Sequence, residues 1–393
     1  APSRTKHPRM TALFLIVLVD LIGFGIIIPL LPFYAEHFGA TPFQVGLVMA
    51  AYSMAQLIAA PLWGRLSDRI GRRPVLLGTL AGMTIGSAAL AFVDSLFVLF
   101  VVRIATGFMA GNISTAFAYV SDVTTPATRA RGMGIVGAAF GVGFVAGPAI
   151  GGILAGADPL AADFRTPALA AAGLSLLAMT LAAVRLPESM TPEARAAARA
   201  AKIRPFAAWR DMMGRPRLRR LVGLMFGATF VFAGMEATFA MWSERQFGWG
   251  PEPKGYLFAM IGILSAAIQG GLIGRLAHRF GEGRLIPIGA ALLALGLGAI
   301  PLASSPILLV PAMLLAGAGF SLMSPSLNSL ISLEAAETER GAVMGLSRSA
   351  ATLGRVLGPA WGGAVFGMIG KDAPYAFGAA LMLALVLFAH RAL

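Results

Sequence analysis

Five ionisable residues, Asp20, Arg103, Glu236, Arg348 and Arg355, stand inside stretches of the chain that are otherwise apolar. Each costs roughly 2.5 to 3.5 kcal/mol to place in hydrocarbon, so their presence calls for a use. If its apolar run is a helix, Asp20 lies about 15 Å along it, and Arg103 lies about 12 Å from the start of its own run, so both fall near mid-depth. Burial and a nearby guanidinium push a carboxyl's proton affinity in opposite directions, and their competition can leave an acid able to take up and release protons. Asp20 is the first candidate for that chemistry, with Arg103 as the tuning charge. The alternative is a static Asp20 to Arg103 ion pair that only holds helices together. Glu236 is the reserve acid, about 22 Å along its run, and Arg355 lies at a matching depth where it could pair with it. Arg348 precedes Arg355 by two helical turns and shares its face. Three internal arginines against two acids leave one positive charge over, which favours a substrate with an anionic group. For Arg348, a side chain that snorkels to the surface is an equal reading.

Around these charges stand polar residues at middle depth, Gln56, Asn112, Gln269 and Asn328, which could hydrogen-bond a substrate or join helices. Phe24, Phe117, Phe140, Phe144, Phe230 and Met235 could line an adaptable apolar cavity, although packing or lipid contact is the more ordinary role. The chain contains no cysteine, so disulfides and thiolate metal sites are excluded. No phosphate-cradling loop occurs, and the four histidines fall at segment ends or tails. The expectation is therefore no enzyme, no metal and no cofactor, with transport driven by a gradient.

The elements that must position these residues are long apolar segments. Of the 393 residues 57% are hydrophobic and only 12% charged, against about a quarter charged in soluble domains. Crossing about 30 Å of hydrocarbon takes about 20 apolar residues as helix. Segments of that length occur at 10–31, 44–63, 74–93, 96–120, 132–154 and 167–186, then at 221–243, 255–277, 285–303, 307–333, 341–369 and 374–390. They are numbered helices 1 to 12. The expected fold is an all-α membrane protein of twelve transmembrane helices in two pseudo-symmetric six-helix bundles, residues 1–186 and 221–393, joined by a cytoplasmic linker at 187–220.

The net charge of +13 would suit nucleic acid, but the placement of the charges does not. With the N-terminus inside, the outer connections hold only Arg165, Arg245, Lys254 and Lys371, and the helices hold Arg103, Arg348 and Arg355; every other Lys and Arg falls on the inner side. That bias orients both termini to the cytoplasm. The basic linker includes a stretch, 192–201, that suits a short amphipathic helix on anionic lipid or a solvated connection. The halves repeat at an offset of about 210 residues: Gly64-Arg65-Leu66 recurs as Gly274-Arg275-Leu276, Gly147-Pro148 as Gly358-Pro359, and Gly151-Gly152 as Gly362-Gly363. Repeats of this kind place a substrate site near the midplane between them.

The loop after helix 2, Gly64-Arg65-Leu66-Ser67-Asp68-Arg69-Ile70-Gly71-Arg72-Arg73-Pro74, resembles the signature loop of the major facilitator superfamily. The resemblance implies a conformational latch made by Gly64, Asp68, Arg69, Gly71, Arg72 and Arg73, with Asp68 accepting hydrogen bonds from a helix end or pairing with an arginine across the halves. In the second copy the acid position is His278 and the basic pair is Glu282-Gly283, so the first copy is expected to carry the latch. Gly137, Gly141, Gly147-Pro148 and Gly151-Gly152 in helix 5 resemble the packing motif of the antiporter branch. Asp20 through Pro32 resembles the tetracycline exporters and related drug/proton antiporters, and the run beginning at Arg103 resembles the helix-four motif whose arginine is implicated in proton transfer. What the resemblance implies is a proton-coupled antiporter exporting small amphipathic compounds by alternating access, working as a monomer in a bacterial inner membrane with lipids as its surroundings. The alternative is a transporter or flippase of amphipathic organic anions or lipids.

Overall fold

The computed structural model describes residues 6–193, 195–196, 214–336 and 339–392. Among them the regular structure is entirely helical, as the apolar segments lead one to expect. Helix 1 is Lys6–Ile27 with a short continuation Leu31–His37; helices 2 to 6 are Pro42–Ile70, Arg72–Leu90, Leu96–Val123, Pro126–Ala155 and Arg165–Arg185. Helices 7 to 12 are Pro216–Phe247, Pro251–Phe280, Glu282–Ala299, Pro306–Leu333, Arg340–Met368 and Ala373–Ala392. Ten of these are long and apolar enough to cross a membrane. Helix 11, whose hydropathy is held down by glycines, Arg348 and Arg355, and helix 12, with its shorter apolar part Ala373–Ala389, stand outside those ten.

Prolines explain several of the starts. Pro126, Pro216, Pro251 and Pro306 occupy first-turn positions of helices 5, 7, 8 and 10, where the missing N–H has no helical partner to lose. For helix 7 this moves the start five residues ahead of Leu221, into the stretch expected as linker. Among the described residues three helices depart from α geometry partway along. Helix 1 breaks at Ile28-Pro29-Leu30, helix 4 tightens into a 3-10 turn at Ala110–Asn112, and helix 8 widens into a π turn at Ile268–Leu272. The expected amphipathic stretch at 192–201 lies largely outside the described residues.

Two compact units emerge. One comprises Ala1–Tyr34, Met54–Lys202 and Pro251–Ala259; the other comprises Ala35–Ser53, Ile203–Gly250 and Met260–Leu393. In the first, helix 1 lies against helix 5 so closely that a Cβ on Gly147 would sit 2.5 Å from the Cα of Gly25, and one on Gly143 would sit 2.8 Å from the Cβ of Leu21. Helix 5 uses a second face as well: a Cβ on Gly152 would meet the carbonyl of Pro251 at 2.8 Å, and one on Gly255 would meet that of Pro148 at 2.5 Å. Gly137 and Gly141 have no such neighbour within 4 Å. The helix-5 glycines therefore divide between two partners instead of forming a single bare face.

The second unit repeats the second of these contacts. Pro42 and Gly46 at the start of helix 2 abut Gly363 and Pro359 of helix 11, as Pro251 and Gly255 at the start of helix 8 abut Gly152 and Pro148 of helix 5. Arg245, expected in a loop, belongs to the last turn of helix 7; it bonds Glu36 at 3.0 Å and its guanidinium lies 4.7 Å from the centre of the Phe366 ring. Lys254, also expected in a loop, is in the first turn of helix 8 with only 1% of its surface exposed. Pro251 reads as a loop residue but here starts helix 8, four residues ahead of Gly255, the expected first residue.

Candidate functional site

Asp20 sits in the middle of helix 1, partly exposed, with Ser175 of helix 6 as a neighbouring polar side chain. The helices approach there because of Gly23, where a Cβ would lie 3.2 Å from the carbonyl of Ala171. Its Oδ1 is buried with no hydrogen-bond partner among the described residues. Arg103 is buried in helix 4. None of the ion pairs among the described residues joins it to Asp20. Asp20 has a neutral hydroxyl beside it and takes part in none of the ion pairs among the described residues, so its carboxyl can be charged or protonated without abandoning a cation. Ser175 was not singled out from the sequence; a hydroxyl in an alanine-rich helix was the only signal.

Phe24, one turn beyond Asp20, meets Phe144 of helix 5 edge-on with ring centres 6.5 Å apart. Gln56 donates to the carbonyl of Ala110 at 3.2 Å, so it braces the 3-10 turn that contains buried Asn112. Phe117 packs against the core of the first unit formed by Leu13, Ile16, Leu76 and their neighbours. The side chain of Phe140 lies outside the described residues. In the second unit Phe230 stacks obliquely between Phe226 and Trp361, at 5.8 and 5.1 Å. Met235 is buried and Glu236 partly exposed on the same helix. Arg348 and Arg355 are both exposed on helix 11, Asn328 is partly exposed, and Gln269 is exposed at the π turn of helix 8. No ion pair among the described residues joins Glu236 to Arg355.

The loop after helix 2 is organised by Arg72. Its guanidinium bonds Asp68 at 2.5 Å, the Ser67 hydroxyl at 2.7 Å and Asp122 of helix 4 at 3.2 Å. Asp68 thus pairs with the arginine of its own loop. The start of helix 3 is capped by Glu188 from beyond helix 6. Oε1 accepts the backbone N–H of Arg72 at 2.9 Å and Oε2 that of Arg73 at 3.2 Å, while Oε1 also accepts from Ser189 and Met190. A carboxylate there satisfies donors the helix cannot and sits at the positive end of its dipole. Gly71 is required twice over, by its φ of 112° and because a Cβ would run into Oε2 of Glu188. Gly64 and Arg69 flank this core, and Arg73 donates to the carbonyl of Ala183 at 2.6 Å.

In the second copy Gly281 keeps a positive φ of 78°, and Glu282, which stands where the first copy has Arg72, accepts from the Ser329 hydroxyl. At the start of helix 7, Arg215 pairs with Glu339 and Arg217 with Glu334. Hydrogen bonds from Arg215 hold the Glu339 carboxyl below its usual range.

Removing the Glu188 cap orphans several backbone donors at once, so Glu188→Ala is expected to cost about 2 kcal/mol or more. Asp68→Asn, which keeps a hydrogen-bond acceptor for Arg72, is expected to cost less. Thermal unfolding in detergent ranks the two, and equal midpoints for Glu188→Ala and the unaltered protein would refute the cap.

The Major Facilitator Superfamily model matches residues 13–359 and 271–392. The tetracycline resistance protein, class C, of Escherichia coli is 33% identical over 346 residues, covering 87% of this chain and 86% of that protein. Multidrug resistance protein 2 of Bacillus subtilis is 29% identical over 355 residues, covering 89% and 86%. The crystal structure of the human organic anion transporter MFSD10 superposes with a TM-score of 0.74 at 27% identity, over 98% of this chain and all of that one.

Proposed function

The chain belongs to the major facilitator superfamily of transporters, and from that membership we propose that it is a proton-coupled antiporter exporting small amphipathic compounds by alternating access. The observation that carries the coupling is the setting of Asp20: a mid-helix carboxyl on a helix otherwise apolar around it, beside a neutral hydroxyl and in no ion pair among the described residues, with Oδ1 left open. Such a group can exchange a proton for substrate without first breaking an ion pair. Arg103 supplies positive potential from helix 4, and Glu236 is the second acid. Phe24 and Phe144 form an apolar wall next to Asp20, in keeping with an amphipathic substrate. The tetracycline and multidrug resistance proteins among the relatives support efflux.

In this reading the chain crosses the cell membrane twelve times, with both termini in the cytoplasm and the six-helix halves 1–186 and 221–393 joined by the linker 187–220. The loop centred on Asp68, Arg72 and Glu188 lies on the inner side and steadies one arrangement of the helices. The Glu36 to Arg245 pair lies on the outer side.

A second reading is favoured by one feature. Arg348 and Arg355 are exposed on helix 11, in the unit that also carries the Phe226, Phe230 and Trp361 rings, a combination suited to aromatic or amphipathic anions. MFSD10, at 27% identity, is an organic anion transporter by its description. A substrate panel in reconstituted vesicles with an imposed pH gradient separates the two. Antiport of cationic or neutral amphipaths requires uptake that collapses when a protonophore is added. Competition by organic anions alone, weakened in Arg355→Gln, would shift the assignment to the second reading.

A further inference from the structure

Lys254 is one of the largest fully buried side chains in the described protein, at 1% exposure. Its ammonium donates to the carbonyl of Pro29 at 3.1 Å and lies 5.7 Å from the centre of the Phe33 ring and 5.4 Å from that of Phe258. Pro29 belongs to the turn that interrupts helix 1 between Ile27 and Leu31. The cation therefore ties the first turn of helix 8 to the break in the helix that carries Asp20. Taking an ammonium out of water is costly, and a carbonyl and two ring faces are groups that stabilise it there.

The internal repeat shows that packing does not demand a charge here. Helix 2 starts with Pro42 and Gly46 as helix 8 starts with Pro251 and Gly255, and both pairs seat on a Gly-Pro segment in the same way. The residue before Gly46 is Val45, fully buried; the residue before Gly255 is Lys254. Helix 7, the counterpart of helix 1, runs unbroken from Pro216 to Phe247. The lysine and the helix break thus occur together in one compact unit, and the other unit has neither at the matching positions.

We infer that Lys254 is a positioning residue for transport, a latch that holds the broken outer end of helix 1 against helix 8 when the outer side is closed and releases into water when it opens. The inference rests on the alternating-access part of the reading above, and on its orientation. Opening must break the Pro29 bond, so the state of helix 1 and the access of the outer side change together.

The chain has no cysteine, so a single reporter thiol can be placed at Leu30, which is 3% exposed in the turn. An impermeant maleimide added outside sealed, right-side-out vesicles measures how often that turn is open. In Lys254→Met the labelling rate should rise about tenfold, the effect of losing one hydrogen bond to a charged group. Lys254→Arg, which keeps the cation, should stay near the unaltered rate. Should the methionine variant not reach the membrane, Lys254→Val carries the same expectation, since Val45 fills the matching position in the other half. Substrate affinity should change less than turnover.

An unaltered or lower labelling rate in both neutral variants would overturn the latch. The labelling comparison needs no substrate. A rise in labelling beside an absence of substrate-driven proton movement would therefore refute the antiport reading and leave the latch standing.

Discussion

Asp20→Asn is expected to abolish gradient-driven transport while leaving substrate binding in place and independent of pH. The amide keeps the shape beside Ser175, so helices 1 and 6 remain packed as before; what disappears is the exchangeable proton. A coupled antiporter needs a carboxyl that reaches the pathway in both protonation states. The competing acids are worse placed. Glu36 is engaged with Arg245, Glu252 is bonded by Tyr256, and Glu334 and Glu339 are paired with Arg217 and Arg215. Binding titrations at several pH values, run beside vesicle uptake, check both halves of the expectation. Proton-driven transport at the original rate in Asp20→Asn would move the role to Glu236.

The second large effect belongs to the contact of helices 1 and 5. Gly147→Val should cost roughly 3 kcal/mol or more, because its Cβ would fall 2.5 Å from backbone at Gly25, where no rotamer change can relieve it. Gly137→Ala, by contrast, meets nothing within 4 Å and should be neutral or slightly stabilising through helix propensity. Yield of folded protein and the thermal midpoint in detergent distinguish the pair. Equal tolerance at both positions would mean that helices 1 and 5 do not pack as described.

These two positions also show how far the sequence could be read. Glycine spacing pointed to close helix contact on helix 5, but Gly137 and Gly147 look alike in one dimension, and only the partner helix distinguishes them. Apolar length located the helices because hydrocarbon thickness sets it. Their ends were harder: Pro216 and Pro251 looked like linker punctuation and are in fact first-turn prolines. Asp68 was legible as a structural acid, but the acid that caps helix 3 was not, since Glu188 lies 116 residues from Arg72 and only folding brings it to the start of that helix. Ser175 and Lys254 escaped for the same reason. A hydroxyl among alanines and a lysine between a proline and a glycine carry no periodic signal, and their roles come from what faces them.

The account's central claim is that outward movement of substrate is exchanged for inward movement of protons through Asp20. The most direct measurement is of proton flux in vesicles of known orientation, with no gradient imposed at the start, when an amphipathic substrate is added on the inner-face side of the protein. The account predicts immediate movement of protons toward that side, saturating with substrate and absent in Asp20→Asn. Substrate movement with no accompanying proton flux, or proton flux unchanged in Asp20→Asn, would contradict it.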